Sequence, residues 1–155
     1  MENKPLNSTV PTKTERITAA LSHAAVIIPL QGLIAPIIIW ATQKDKSEYV
    51  ALQSLQALAW QIMIVFGWFI GVGCYFCSFL GIFLGSMFVE NVSGSLGIGA
   101  AESIMLVPFL VMGLLMIIWV VFVIYGLVGA VLCLQGKDFR YTIIGPRVER
   151  YLSER

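Results

Sequence analysis

The chain has 155 residues, of which 58% are apolar and 12% are charged, with a net charge of +1 and a mean hydropathy of +0.85. Soluble domains are about 45–50% apolar and about 25% charged, so this composition excludes an ordinary soluble domain and indicates an integral membrane protein. A net charge this small gives no basis for a nucleic-acid partner. We expect an all-α helical bundle whose hydrophobic elements lie in the uncharged stretches 17–43, 49–89 and 103–136.

The chain begins with a polar segment, residues 1–16, that we expect to be an N-terminal tail outside the membrane. This segment lacks the apolar core and the small-residue cleavage site of a signal peptide, so the next apolar run is expected to stay in the mature chain. The remainder divides into a single transmembrane domain, residues 17–136, and a basic, aromatic C-terminal interfacial tail, residues 137–155.

The first hydrophobic element, residues 17–43, is interrupted near its centre by "PLQG". Basic residues flank it on both sides, and the positive-inside rule places both flanks in the cytoplasm. An even number of crossings follows, which favours a re-entrant hairpin or two short tilted crossings over the alternative of one kinked span. At the turn, Pro29 removes a backbone donor, Gly32 permits a positive φ, and the Gln31 amide is available to open backbone groups.

The second element, residues 47–89, is expected to be an interfacial helix, residues 47–61, that leads directly into a span. Asp45 and Glu48 have the spacing of a capping pair at its start. Leucines lie on one face of the interfacial part and amides on another. The polar intramembrane candidates, together with the turn residues, are His23, Pro29, Gln31, Gly32, Gln53, Gln56 and Gln61.

The third element is a predicted span over residues 104–134, with Pro108 in its first turns, where a missing amide costs little. The loop before it contains neither Lys nor Arg and is expected to face away from the cytoplasm, whereas the C-terminus faces the cytoplasm. In the tail, basic residues alternate with aromatic ones. The side chains expected to face lipid are Lys137, Phe139, Arg140, Tyr141, Arg147 and Arg150.

Small residues recur along the second element at spacings of three and four, which is typical of closely packed membrane helices. They are expected to pack either on the third span or on another subunit. The predicted packing interface consists of Gly67, Gly71, Cys74, Ser78, Gly81 and Gly85, with Gly126, Ala130 and Cys133 of the third span as a plausible partner.

No carboxylate occurs inside an apolar run, and ion-coupled transport or intramembrane hydrolysis needs ionisable groups at depth. Cys74 and Cys77 have a two-residue gap but lie within an apolar span, so packing explains them better than metal or redox chemistry. His23 is expected to hydrogen-bond a carbonyl of the hairpin turn or to lie at the interface. We therefore predict no catalytic, metal or cofactor site and no enzymatic activity.

Several short motifs give the chain a family resemblance over about residues 15–145. They occur around the first histidine, at the hairpin turn and the lysines after it, at the start of the second helix, and in the tail. The residues that carry them are His23, Gly32, Pro36, Lys44, Lys46, Ser47, Tyr49, Val50, Ala57, Leu58, Trp60, Gln61, Gly136, Phe139, Arg140 and Tyr141. The chain resembles small prokaryotic membrane proteins of unknown function that are related to the chloroplast inner-envelope import component Tic, of the twenty-kilodalton type. That resemblance implies four helices with both termini on one side.

These features favour a non-enzymatic accessory or scaffold subunit of a membrane protein complex. The alternative is a channel or protein-translocation component, as the Tic-type resemblance would imply, with the glutamine amides lining a polar path. The expected partners are membrane lipid and other membrane subunits or a second copy, with neither nucleic acid nor a small-molecule substrate. The expected location is a bacterial or archaeal cytoplasmic membrane, with the C-terminus and the N-terminus in the cytoplasm.

Overall fold

A computed structural model describes residues 10–28, 30–92 and 98–154, with side chains described outside 88–105. The described residues are helical and contain no strand. The helices are α1 (Lys13–Ala24), α2 (Ile34–Gln43), α3 (Glu48–Val92), α4 (Ile98–Leu134) and α5 (Gly145–Ser153), and two short 3-10 turns, Ala25–Ile27 and Gln31–Leu33, join α1 to α2.

In the part of the chain that the structure describes, two helices are long and apolar enough to cross a membrane. The candidate spans are Glu48–Met87 of α3 and Leu106–Leu134 of α4, and few of their most apolar residues are buried within the protein. The 45 residues of α3 extend about 67 Å at about 1.5 Å per residue, which exceeds a hydrocarbon core of about 30 Å. Part of α3 must therefore lie outside the hydrocarbon.

The first hydrophobic element folds as two short helices that contact each other. A capping box between Thr12 and Glu15 begins α1. The chain then reverses, with Leu30 at φ 62° and a hydrogen bond of 2.7 Å from the Gly32 amide to the Ile28 carbonyl. The positive φ expected at Gly32 thus belongs to Leu30, and the role expected of Pro29 lies outside the described residues.

Gly32 is needed for close packing. A Cβ atom at this position would collide with the carbonyl oxygen of Ala25 and would lie 3.3 Å from Gln61 Oε1 of α3. Gly32 therefore lets the two arms of the hairpin and α3 approach one another, because glycine has no side chain to prevent close backbone contact.

Helix α3 begins at Glu48, directly after Ser47, and shows no break at residue 61. The Val50 amide donates to Ser47 Oγ, so Ser47 caps the helix in place of the expected Asp45 and Glu48 pair. Ser47 Oγ also donates to the Glu15 carboxylate, over 2.6 Å. The segment predicted to be interfacial is largely buried against the hairpin and the tail, and its position at the membrane surface stays a prediction. Its buried residues are Val50, Ala51, Leu52, Gln53, Ser54, Gln56, Ala57, Trp60 and Gln61.

A glycine turn ends α4. The Gly136 amide donates to the Cys133 carbonyl, and the Lys137 amide donates to the Leu132 carbonyl, while Gly136 has φ 75°. This pair of bonds is a Schellman motif, in which glycine tolerates the left-handed conformation. The motif turns the chain back so that the residues after it enter the protein core.

The chain divides into two compact units. Unit 1 comprises residues 1–63 and 123–155 and contains the hairpin, the first four turns of α3, the end of α4 and the tail. Unit 2 comprises residues 64–122 of α3 and α4. Within unit 2, Trp68 lies 6.5 Å from Trp119 between ring centres, and a Cβ on Gly71 would contact Leu115. These pairs run in opposite sequence directions, so the two helices are antiparallel there.

Candidate functional site

A buried group of polar side chains lies at the centre of unit 1. This polar cluster is defined by His23 of α1, the glutamines of α3 and two residues of the tail. Its members are His23, Gln53, Gln56, Gln61, Asp138 and Tyr141. All except Asp138 are almost fully buried. Sequence segments far apart in the chain are therefore joined by polar contacts inside one core.

His23 lies between the tail and α3. Its Nδ1 is 3.0 Å from Tyr141 Oη, and its Nε2 is 3.2 Å from Gln53 Oε1. Because Gln53 Oε1 is an acceptor, His23 Nε2 carries the proton and donates, which leaves Nδ1 to accept from the Tyr141 hydroxyl. The sequence predicted a hydrogen bond from His23 to a carbonyl of the hairpin turn. Instead, side chains from α3 and the tail satisfy both ring nitrogens.

Gln53 connects His23 to the tail. Its Nε2 donates to Asp138 Oδ1 over 2.9 Å and to the Phe139 carbonyl over 3.1 Å. The Cys133 thiol contacts Gln53 Oε1 at 3.5 Å. Hydrogen bonds thus run from the Tyr141 hydroxyl through His23 and Gln53 to the partly exposed Asp138 carboxylate, and each donor meets an acceptor.

Two further glutamines of α3 hold backbone groups. Gln56 Oε1 accepts from the Tyr141 amide over 3.1 Å, and Gln61 Nε2 donates to the Ser22 carbonyl over 3.1 Å. One glutamine therefore fixes the tail and the other fixes the first arm of the hairpin. Gln31, which was expected to serve the turn, is exposed, and Gln61 approaches the turn instead.

Aromatic rings enclose the polar cluster. Tyr141 stacks on Trp60, with ring centres 4.6 Å apart, and Tyr125 and Phe139 contact its edge. Gly129 of α4 makes room, since a Cβ there would lie 2.8 Å from Phe139 and 3.1 Å from His23. The rings exclude water and strengthen the enclosed hydrogen bonds.

Burial sets the protonation states of His23 and Tyr141 in the polar cluster. Loss of hydration lowers the pKa of His23 from 6.5 to about 4, while the bond to Gln53 acts in the opposite direction. Burial also raises the pKa of the Tyr141 hydroxyl well above 10. At neutral pH the histidine is thus neutral and the tyrosine keeps its proton, as the hydrogen-bond directions require.

The tail departs from the sequence prediction at its aromatic residues. Phe139 and Tyr141 are only 7% and 1% exposed, so they pack in the core and do not face lipid. The Schellman turn redirects the tail inward, which explains the error. The four basic residues expected to face lipid, Lys137, Arg140, Arg147 and Arg150, are exposed, and their contact with lipid stays a prediction.

The predicted packing residues lie in both units. In α3, Cβ atoms on Gly67, Gly81 and Gly85 would meet open space, whereas one on Gly71 would meet Leu115. Gly126 of α4 contacts Val26 of the hairpin, and Ala130 is buried. Cys74 and Ser78 are exposed on α3. Whether another helix covers this surface stays a prediction.

Metal-ligating side chains do not gather in the described part of the chain. No group of three or more His, Cys, Asp or Glu side chains occurs in the described part of the chain. Cys74 and Cys77 are exposed free thiols, and Cys133 is a buried one.

The sequence did not predict the contacts that Cys133, Asp138, Ser22 and Tyr125 make with the polar cluster. A glycine after the last apolar run was the one available signal that the tail folds back.

The fold and the polar cluster define a small all-helical membrane protein whose tail is fixed to an N-terminal hairpin. Comparison with protein families identifies it further. Residues 14–148 match the MamF/MmsF family, described as the magnetosome magnetite crystal formation protein family, and the chain belongs to that family. No curated protein and no solved structure matches the chain.

This membership corrects the resemblance seen in the sequence. The chain is a member of a magnetosome membrane protein family and not of a Tic-like family. The motifs that suggested Tic are explained by packing, since His23, Trp60, Gln61 and Tyr141 assemble around one core. They report the fold of unit 1 and not a role in import.

Proposed function

We propose that this chain is a non-enzymatic accessory or scaffold subunit that supports magnetite crystal formation within a membrane protein complex. Membership of the MamF/MmsF family indicates the process, which is magnetite crystal formation. The polar cluster carries the argument for a structural role, because His23, Gln53 and Tyr141 are at most 1% exposed and His23 hydrogen-bonds to both of the others. Buried polar groups that satisfy each other rigidify a fold.

The hairpin is proposed to be re-entrant. Its arms, α1 and α2, have 12 and 10 residues, or about 18 and 15 Å, which is too short to cross a core of about 30 Å. The residues of its tip are apolar and exposed, among them Ile27, Ile28, Leu30 and Ile34, each at least 55% exposed. An exposed apolar tip is favourable in hydrocarbon and costly in water.

Charge supports the same orientation. Lys13 and Arg16 lie at the start of α1, and Lys44 and Lys46 follow α2, so basic residues occupy the open end of the hairpin. The basic tail lies on that side of the membrane too, since α3 and α4 make two crossings. The positive-inside rule then places both termini in the cytoplasm and the loop between α3 and α4 on the opposite side.

Cysteine labelling tests this topology. In a chain with the three native cysteines replaced by alanine, Thr14→Cys and Asp45→Cys probe the two arms, and Glu154→Cys marks the tail side. We expect a membrane-impermeant maleimide to label all three from the cytoplasmic side. Labelling of Thr14→Cys and Asp45→Cys from opposite sides would establish a single kinked span and disprove the hairpin orientation.

Purification in mild detergent tests the accessory role. We expect a stable assembly of fixed stoichiometry with other membrane proteins, and smaller or misshapen crystals in a magnetite-forming bacterium that lacks the chain. Small residues that meet open space, such as Gly81 and Gly85, leave room for a neighbouring helix. Gly81→Leu is therefore expected to reduce co-purification, with Gly73→Leu as the control outside the small-residue stripe. Unchanged assembly and normal crystals would refute the role.

The channel alternative receives no support. Gln53, Gln56 and Gln61 bond to packed groups, and Gln31 is exposed elsewhere, so these amides line no common path. Conduction of ions by the purified chain in liposomes would overturn the accessory role in favour of the channel.

A further inference from the structure

An apolar groove lies on unit 1, away from the polar cluster. It has a volume of about 510 Å³ and is formed by α2, α3, the tail and α5. Trp40 contributes from α2, and Ala59 and Met63 from successive turns of α3. The opposite wall includes Ile144 and Tyr151, with Arg147 as the one charged residue among the described lining residues.

The groove combines an apolar floor with a basic mouth. Its α3 residues belong to the N-terminal part of the candidate span Glu48–Met87. Arg147 is exposed and forms no ion pair in the described part of the chain. The nearby carboxylates of Asp138 and Glu149 form ion pairs with Arg140. Lys44 Nζ lies 5.5 Å from the centre of the Trp40 ring, which brings a second cation near the same groove.

We infer that this groove binds an anionic phospholipid, with the phosphate on Arg147 and one acyl chain along Ala59 and Met63. The charge of the mouth is complementary to the phosphate, and guanidinium is suited to bidentate contact with phosphate oxygens. Trp40 and Tyr151 are the residue types found at headgroup level. A peptide would leave backbone groups unpaired in so apolar a groove, whereas an acyl chain has none. The assignment is independent of the role in crystal formation.

Photocrosslinking of the full chain in phosphatidylcholine vesicles tests the groove. The probes are phosphatidylglycerol and phosphatidylcholine, each with a diazirine on an acyl chain and present as a minor fraction. We expect the phosphatidylglycerol probe to label peptides from residues 55–63 and 143–151 about fivefold more than the phosphatidylcholine probe. One basic residue near an anionic headgroup contributes about 1 kcal/mol, which corresponds to that ratio.

Two variants locate the contacts. Arg147→Gln should reduce phosphatidylglycerol labelling to the phosphatidylcholine level, while Arg150→Gln, an exposed arginine of α5 outside the groove, should leave it unchanged. Ala59→Phe should fill the floor and reduce groove labelling by both probes, with Leu58→Phe as its control. Gel filtration in detergent checks that each variant folds.

Equal labelling by the two probes, unchanged by Arg147→Gln and by Ala59→Phe, would show ordinary boundary lipid and overturn the site. If labelling is stronger for phosphatidylglycerol but is unchanged by Ala59→Phe, the lipid lies elsewhere on the basic tail. That result would also overturn the proposed site.

Discussion

Tyr141 Oη lies 3.0 Å from His23 Nδ1, so a residue of the C-terminal tail donates a hydrogen bond to a residue of the first helix, 118 positions earlier. Trp60 stacks on the same tyrosine, and Gln53 holds the other ring nitrogen of the histidine. The pair is therefore the point at which hairpin, α3 and tail are joined, and it gives the polar cluster measurable consequences.

Removal of the tyrosine hydroxyl should destabilise unit 1. Tyr141→Phe keeps the ring on Trp60 but leaves His23 Nδ1 as a buried acceptor without its donor, which we expect to cost about 1–3 kcal/mol. The apparent midpoint of thermal unfolding in detergent measures the effect. Tyr151→Phe is the control, because Tyr151 is 51% exposed. Equal midpoints for the two variants would contradict the proposed hydrogen bond.

Stability should fall as the pH is lowered from about 6.5 toward about 4. The pKa of His23 is about 4 in the folded chain and 6.5 without burial, so within this window the unfolded chain binds the extra proton. The loss is on the order of 3 kcal/mol below the folded pKa, since one pKa unit corresponds to about 1.4 kcal/mol.

The control for this pH dependence is His23→Gln, which removes the single histidine of the chain. Its unfolding midpoint should be lower at neutral pH and nearly flat across the same window. A variant that keeps the slope of the native chain would assign the pH dependence to carboxylates, such as Glu15, whose pKa is lowered by its bonds to Ser47 and Thr12.

Loss of Gln53 should free the tail. Gln53→Leu leaves the His23 Nε2 proton and the Phe139 carbonyl without their partner, so tail opening should become easier. A change of about 1.4 kcal/mol raises amide hydrogen exchange in the tail peptide about tenfold. Gln31→Leu changes an exposed glutamine and should leave exchange as it is. Similar exchange in both variants would show that the tail is held by contacts other than those of Gln53, such as the Gln56 bond and the aromatic packing.

A methyl group at the hairpin turn should have a different effect from one on an open helix face. Gly32→Ala forces a Cβ against the Ala25 carbonyl, and overpacking of this kind costs about 1–3 kcal/mol. Gly73→Ala meets no atom within 4 Å and should be neutral or stabilising by up to about 1 kcal/mol, since alanine favours helix. Both are compared by thermal unfolding in detergent, and a neutral Gly32→Ala would refute the close packing.

The sequence was sufficient for the long helices and for the reversal near residue 30. Uninterrupted apolar runs define α3 and α4, and a polar, proline-containing break separates α1 from α2. The candidate polar residues were also recognisable, because His23 and the glutamines of α3 are unusual in apolar surroundings. The number of long spans was not evident from hydropathy alone, since the hairpin is as apolar as a span.

The pairing of these residues required the tertiary structure. An aromatic residue beside arginine suits both the headgroup zone and a buried core, and only the turn at Gly136 decides between them for Tyr141. Gln53 meets Asp138 across 85 positions, a contact that no local spacing indicates. The family resemblance failed because the residues that carried it pack in the core of unit 1, and a packing role does not identify a function.

The long sequence separation between His23 and Tyr141 also sets an order of assembly. Once the start of α3 has left the ribosome, His23 can meet Gln53 and Gln61 can meet the Ser22 carbonyl, but the partners that lie in the tail have not yet been synthesised. The polar cluster therefore closes only after Asp138 and Tyr141 have been synthesised. A product that ends before residue 138 would leave His23 Nδ1 and Gln53 Nε2 without their partners in the tail, so its polar cluster would stay open.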